Sequence, residues 1–340
     1  MALRIGFIGA GGNVRLRLAP GFRAIPDVEF TAVCNRSAES SARAAAEFGI
    51  GRVCETPAEL IGAADVDAVC IGTWPYRHRE YTVAALRAGK HVLCEARMAM
   101  DAGEGAEMLA VSREFPGLVA QLVPAPFDFR LGPTIMRLIS EGALGDITEA
   151  SIQVLNASGL DPAAPLQWRH RSDYSGHNIM MLGIYNEIAQ RWLGDTRSLY
   201  ARGSVTVSAR RDPETGTTMK IEIPDALHIV AELASGPAVL YHVSNVAGGA
   251  PFSGILVHGT KATLRWSPDD TAQLVPHGGE AVPIEPDPGT DRGWCVEADF
   301  VDSIREGTPV RLTSFEDGLK YMRFTDACWQ SWREGRVVSL

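Results

Sequence analysis

The 340-residue sequence predicts an α/β protein. A doubly wound parallel sheet comes first, and an α+β domain with a large, open, mainly antiparallel sheet follows. Three observations carry this reading. Short apolar runs such as "RIGFIGA" and "DAVCIGT" recur through the first third, separated by helix-length amphipathic segments. Strands buried on both faces lose the alternation of a half-exposed sheet, so these runs indicate a parallel sheet covered by helices. After Pro124-Ala125-Pro126 the runs do alternate, as in "ALHIVAELA", and Gly, Pro and Asn turns separate them. Finally, a cluster of glycines closes the first strand. The boundary is placed between residues 123 and 124, with the terminal helices free to pack back on the first domain.

In order, "RIGFIGA" is a strand, and Asn13 to Arg23 a helix stopped near Ile25-Pro26. "EFTAVCN" is the second strand. "SAESSARAAAEFG" is an Ala-rich helix with Ser37 as its N-cap. "DAVCIGT" and "KHVLCEA" are strands flanking the helix "REYTVAALRAG", which ends at Gly89. Asp101 to Phe115 is helical, and "GLVAQLV" closes the series. In the second domain a helix over 129–141 leads through "GALGD" into the strand "ITEASIQVLNA". A further helix spans 178–193, alternating strands follow over about 225–266, and helices over 292–306 and 315–334 end the chain.

Composition narrows the function. Hydrophobic residues make up 46% and charged residues 21%, enough for a sizeable core. The net charge is −9 and no basic run exceeds two residues, which argues against a general nucleic-acid surface. No apolar run reaches the roughly 18 residues that a membrane span needs. The N-terminal apolar run passes straight into glycines without a cleavage pattern, so it reads as a mature strand. Six cysteines without CxxC pairing suit reduced thiols in a cytoplasmic protein. No His, Cys or carboxylate group has the spacing of metal ligands.

"GFIGAGGNV" places Gly9, Gly11 and Gly12 where a strand turns into a helix, with Asn13 and Val14 closing the turn. Glycines there permit a tight turn and close backbone approach to a pyrophosphate at a helix N-terminus, the signature of a Rossmann domain. The fingerprint departs at its third glycine, which is Val14. The second strand ends "VCNRS", where an NAD site usually has a carboxylate for the ribose hydroxyls. Asn35 cannot repel a 2′-phosphate, whereas Arg36 and Ser37 can pair with one, so NADP is favoured over NAD.

The segment "GTWPYRHREYTVAALRAGKHVLCEA" resembles the glucose–fructose oxidoreductase/inositol dehydrogenase (Gfo/Idh/MocA) family. Thr73, His78 and the run from Ala88 to Glu95 match that family's pattern. "LISEGALGDITEASI", "SGHNIMMLGIYNEIAQRWLGD" and "DACWQSWREGRVVSL" extend the resemblance along nearly the whole chain. It implies a nicotinamide dinucleotide in the first domain, with Thr73, Trp74, His78 and Glu95 joining the glycine loop as cofactor-binding positions. It also implies an NAD(P)-dependent oxidoreductase acting on a sugar, cyclitol or related polyhydroxy compound. The open sheet is expected to join copies of the chain as a homodimer or homotetramer.

One departure is informative. The family's catalytic lysine and the proline after it are Ala96 and Arg97 here, and its helix aspartate and histidine are Met181 and Tyr185. Moving a hydride to or from a carbinol carbon still requires a carrier for the hydroxyl proton. Tyr185 is the first candidate, with Arg97 either lowering its pKa or orienting substrate, and His170 and His177 are each an alternative proton carrier, His177 the leading one. "WRHRSDYSGHN" supplies Trp168, His170 and Asn178 as a polyol-binding set that Arg97 would join. Two rival readings remain: a net non-redox sugar-modifying enzyme with tightly held NAD(P), or a dinucleotide- or metabolite-binding protein without catalysis.

Overall fold

A computed structural model describes residues 2–249 and 251–340, in two compact units. Unit 1 comprises Met1–Pro124 and Cys295–Leu319; unit 2 comprises Ala125–Trp294 and Lys320–Leu340.

Unit 1 is built on six parallel strands: β1 Leu3–Ile8, β2 Val28–Cys34, β3 Arg52–Val53, β4 Ala68–Ile71, β5 His91–Cys94 and β6 Ala120–Leu122. Their spatial order is β3-β2-β1-β4-β5-β6. All four residues of β4 are buried, as the unalternating run predicts. Phe7 holds Phe22, Phe30 and Phe48 within 6.4 Å, anchoring helices α1 (Ala19–Arg23) and α2 (Ala38–Phe48) to the sheet. Ser37 caps α2 by accepting from the Ser40 N–H, and left-handed Gly49 ends it. Helices α3 (Pro57–Ile61), α4 (His78–Arg87) and α5 (Ala102–Glu114) complete the connections, and Asp101 caps α5.

Two expectations change. The first helix is split, because Val14–Leu18 is wound more widely, with the Ala19 N–H reaching the Val14 carbonyl, before α1 begins. Pro20 has no N–H for the Leu16 carbonyl, so the α-helical ladder cannot run through that turn. "GLVAQLV" shortens to a three-residue strand, while β3 and α3 have too little apolar pattern to be legible.

The large sheet of unit 2 has nine strands among the described residues, in the order β16-β15-β14-β13-β7-β12-β11-β8-β17. Only β7 (Ile147–Leu155) and β12 (Ala238–Ser244) pair in parallel. The others are β8 Thr196–Ser204, β11 Ala226–Leu233, β13 Phe252–Gly259, β14 Ala262–Ser267, β15 Thr271–Pro276, β16 Val282–Pro283 and β17 Val338–Ser339. A separate hairpin joins β9 Ala209–Arg211 to β10 Thr218–Lys220. Helices α6 (Gly132–Ser140) and α8 (Leu182–Leu193) cover one face, and the short α7 (Ser172–Ser175) precedes α8. Ile152, Val154, Val239, Val243, Ile255 and Val257 pack there against Leu182, Tyr185, Ile188 and Trp192. The other face carries the alternate residues, including exposed Tyr200, Val230 and Leu240. At the C-terminal end α9 (Val296–Glu306) lies in unit 1, and the unit division falls within α10 (Phe315–Glu334).

Candidate functional site

The strand order of unit 1 reverses between β1 and β4, and crevices at such a reversal bind ligands beyond the strand ends. A cavity of about 290 Å³ opens there, lined by the turn after β1, the residues after β2 and the loop after β4. Gly9 sets the turn: its φ is +80°, and a Cβ on it would lie 2.6 Å from the Thr73 methyl. A side chain on Gly12 would meet nothing in the protein within 4 Å, so the chain's own packing does not demand a glycine there. Its bare backbone suits the close approach of a phosphate. Val14, in place of the third glycine, is buried because Gly72 makes room; a Cβ on Gly72 would lie 2.4 Å from the valine methyl.

Asn35 is engaged on both sides of its amide. Its Oδ1 accepts from the Ala10 N–H at 2.7 Å and its Nδ2 donates to the Ser40 carbonyl at 2.9 Å. It lines the cavity as a brace for the glycine turn rather than as a ribose acceptor. Ser37 caps α2 and is not among the residues that line the cavity. Arg36 does line it, with its guanidinium 5.8 Å from the centre of the Trp74 ring. Thr73 and Trp74 complete that wall. Among the described residues the Thr73 hydroxyl is buried without a hydrogen-bond partner, and buried hydroxyls are rarely left so. An open glycine backbone, an orphaned hydroxyl and a wall free of acidic side chains fit a phosphorylated dinucleotide.

His78 lies behind the loop rather than on the cavity wall. It is fully buried, its ring nitrogens facing the carbonyls of Thr73 and Arg97, each at 2.9 Å. It therefore fixes the loop that presents Thr73, and burial pushes its pKa down. Glu95, at the end of β5, accepts from Asn13 Nδ2 at 2.5 Å and from the Ala96 N–H at 3.2 Å. Desolvation raises its carboxyl to about 6 while the Asn13 hydrogen bond pulls the other way. Arg97 is buried, and its backbone carbonyl supports His78.

In unit 2, Tyr185 is a core residue. It is buried among Phe127 and Trp266, its ring centre 5.6 and 6.5 Å from theirs, and its hydroxyl pairs with Ser253. Burial raises its pKa, the opposite direction from the one a phenolate base would need. Asn178 is likewise buried, donating to the Ser175 carbonyl at 2.7 Å, and acts as a turn lock before α8. His177 is different. Its Nδ1 lies 2.9 Å from an Asp326 carboxylate oxygen, its ring stacks on Trp329 at 5.0 Å, and 39% of its side chain is exposed. A second cavity, about 280 Å³, is lined by Asn156, Gln167, Arg169, His170, Met181 and Asn245, among others. His170 Nδ1 accepts from the Gln167 N–H at 3.1 Å, and burial lowers its pKa. Trp168 carries Arg169 over its ring at 4.3 Å, beside this cavity. Among the described residues no cluster of three His, Cys, Asp or Glu could hold a metal.

Family models match residues 3–120, described as an oxidoreductase family with an NAD-binding Rossmann fold, and residues 134–265, described as the GFO/IDH/MocA C-terminal domain. The chain belongs to the Gfo/Idh/MocA oxidoreductase family. A 3-reductase for dTDP-3,4-didehydro-2,6-dideoxy-alpha-D-glucose from Streptomyces violaceoruber is 35% identical over 206 residues, 60% of this chain and 58% of that protein. Inositol 2-dehydrogenase from Klebsiella pneumoniae strain 342 is 29% identical over 243 residues, 66% of this chain and 67% of that one. In structure, levoglucosan dehydrogenase in complex with NADH and L-sorbose superposes with a TM-score of 0.88 at 22% identity. That match covers 99% of this chain and 98% of that one and bears on the fold. The relatives of this Gfo/Idh/MocA protein are thus sugar and cyclitol oxidoreductases, and its own first domain is the family's NAD-binding fold.

Asp326 was not legible as a partner of His177, because 149 residues separate the two in sequence. Arg15 and Arg43 also escaped notice, although both line the dinucleotide cavity. A helical period of about 3.6 residues places Arg43 on the same side of α2 as Ser40 and could have pointed to it.

Proposed function

We propose that this chain is an NADP(H)-preferring oxidoreductase acting on a sugar, cyclitol or related polyhydroxy compound. The observation that carries the reading is the cavity at the sheet reversal, with its open glycine turn, orphaned Thr73 hydroxyl and arginine wall. When bound, the nicotinamide exchanges a hydride with a carbinol or carbonyl carbon. The backbone at Gly9, Gly11 and Gly12 receives the pyrophosphate, and Thr73 donates or accepts through its hydroxyl. Trp74 offers an aromatic face, and Arg36 takes the 2′-phosphate. Asn13 and Glu95 hold the start of the first helix against the end of β5, setting the loop on which Arg97 sits.

His177 is the proton carrier in this reading. Asp326 holds Nδ1, which fixes the tautomer and leaves Nε2 to exchange a proton with substrate oxygen. Gln167, His170, Asn156 and Asn245 offer several donors and acceptors, as a polyhydroxy compound requires. Arg97 orients substrate rather than titrating, since guanidinium keeps its proton near neutral pH. The exposed outer face of the unit 2 sheet joins copies of the chain. The six free thiols suit a cytoplasmic setting, and among the described residues no helix is long and apolar enough to cross a membrane.

Titrating the full chain with NADPH and NADH, followed by turnover on a panel of sugars and cyclitols, tests the proposal. The expected result is tighter NADPH binding and turnover on at least one polyol or its ketone. His177→Ala should lower kcat by about 10²–10⁴-fold, whereas Tyr185→Phe should leave it within a few-fold. Equal affinity for the two dinucleotides overturns the cofactor assignment. Absence of turnover overturns the enzymatic one.

A further inference from the structure

Asn35 stands where a ribose-binding carboxylate would stand in an NAD site, and its amide is spent on Ala10 and Ser40. Around it the cavity wall carries three arginines from three different segments. Arg36 follows β2, Arg15 comes from the widened turn after the glycine loop, and Arg43 lies on α2 one turn beyond Ser40. None of the described lining residues is acidic. The compensating carboxylates stand outside the wall: Glu47 Oε2 holds Arg15 Nε at 2.9 Å, and Glu39 pairs with Arg43. Both pairs are largely exposed, so each is held weakly and screened by salt.

We propose that Arg15 and Arg43 complete a three-arginine clamp for the 2′-phosphate of NADP, exchanging Glu47 and Glu39 for the phosphate when it binds. This rests on the cofactor assignment above and extends it to two residues and to a competition built into the free protein. A 2′-phosphate carries more charge than a single carboxylate and offers three acceptor oxygens, so it suits several guanidinium groups better than one glutamate does. The glutamates balance Arg15 and Arg43 while the site is free. They also lower phosphate affinity, because each must be displaced.

Calorimetric titration of the full chain with 2′-phospho-ADP-ribose and with ADP-ribose tests the clamp without any need for turnover. The unmodified protein should bind the phosphorylated probe at least about tenfold more tightly, an advantage that shrinks as salt rises. Arg15→Gln and Arg43→Gln should each cost about tenfold for 2′-phospho-ADP-ribose and under about threefold for ADP-ribose. Glu47→Gln should tighten the phosphorylated probe alone. All three positions are exposed, and thermal melts establish that each variant is folded. A preserved preference for the phosphorylated probe in both arginine variants overturns the clamp and leaves the NADP assignment resting on Arg36. Equal binding of the two probes by the unmodified protein overturns both. Unchanged or weaker binding by Glu47→Gln overturns the exchange.

Discussion

Glu95 shows how a single carboxylate couples the cofactor loop to pH. Desolvation raises its pKa from 4.5 to about 6, so the folded chain holds this proton more tightly than the unfolded chain does. Its contribution to stability is complete below about pH 4.5 and is lost as pH rises through about 6. Above that, the ionised group costs at most about 2 kcal/mol, because one pKa unit corresponds to about 1.4 kcal/mol. Glu95→Gln keeps an oxygen to accept from Asn13 and removes the charge. It should therefore melt higher than the unmodified protein at pH 7.5, with the difference closing near pH 4.5. An offset equal at both pH values would show that the carboxylate does not titrate between them. His78 makes a related point. The family resemblance implied a cofactor contact there, whereas its two carbonyl neighbours make it a fastener for Thr73.

At the scale of elements, α8 is fixed by charge as well as by apolar packing. Arg191 reaches Glu187 one turn earlier at 2.7 Å and Asp128, before α6, at 2.8 Å; both carboxylates are buried. Trp192 donates to the same aspartate at 3.2 Å, and Glu187 accepts from the Ala125 N–H. These contacts fasten the entry of unit 2 to the helix that also carries Tyr185. Removing the cation strands two buried carboxylates, so Arg191→Ala should destabilise unit 2 by about 3–5 kcal/mol. Urea unfolding followed by tryptophan fluorescence measures this, because Trp192 and Trp266 lie in that core. A loss under about 1 kcal/mol would mean that the carboxylates take up protons and accept burial without their partner. The sequence reading starts this helix at 178, four residues before Leu182 where α8 begins, and the i, i+4 pair Glu187–Arg191 was indistinguishable there from a solvated surface pair.

For the molecule as a whole, the outer face of the nine-stranded sheet predicts self-association. Tyr200, Val230 and Leu240 lie side by side across β8, β11 and β12, with Ser151 next on β7. Val230 is 54% exposed and Leu240 49%. One row away lie Arg202, His228 and His242, and on the opposite side Glu232 and Glu149. Turning a second copy by half a turn about an axis along the apolar row sets the row carrying Arg202 of each over the row carrying Glu232 and Glu149 of the other, a self-complementary arrangement. Light scattering at micromolar concentration should show a dimer or tetramer. The double change Val230→Asp and Leu240→Asp should release monomers without unfolding them, as both side chains face outward. A monomeric unmodified protein would overturn this reading.

Local sequence determined a good deal. Unalternating apolar runs specified the parallel sheet, Ser37 and Asp101 specified helix starts, and glycines after the first strand specified the turn that opens the cavity. Those signals are short-range, arising from backbone conformation and from a periodicity that a dozen residues can display. Tertiary structure decided which polar groups do what. Asn35 became a brace because Ala10 and Ser40 are folded against it, and Tyr185 became core because Phe127 and Trp266 close over it. His177 gained Asp326 from 149 residues away, and Arg15, Arg36 and Arg43 came to line one cavity only through the folding of separate segments. A side chain's type limits its chemistry, whereas its solvation and its partners are set by chain segments that sequence spacing does not bring together.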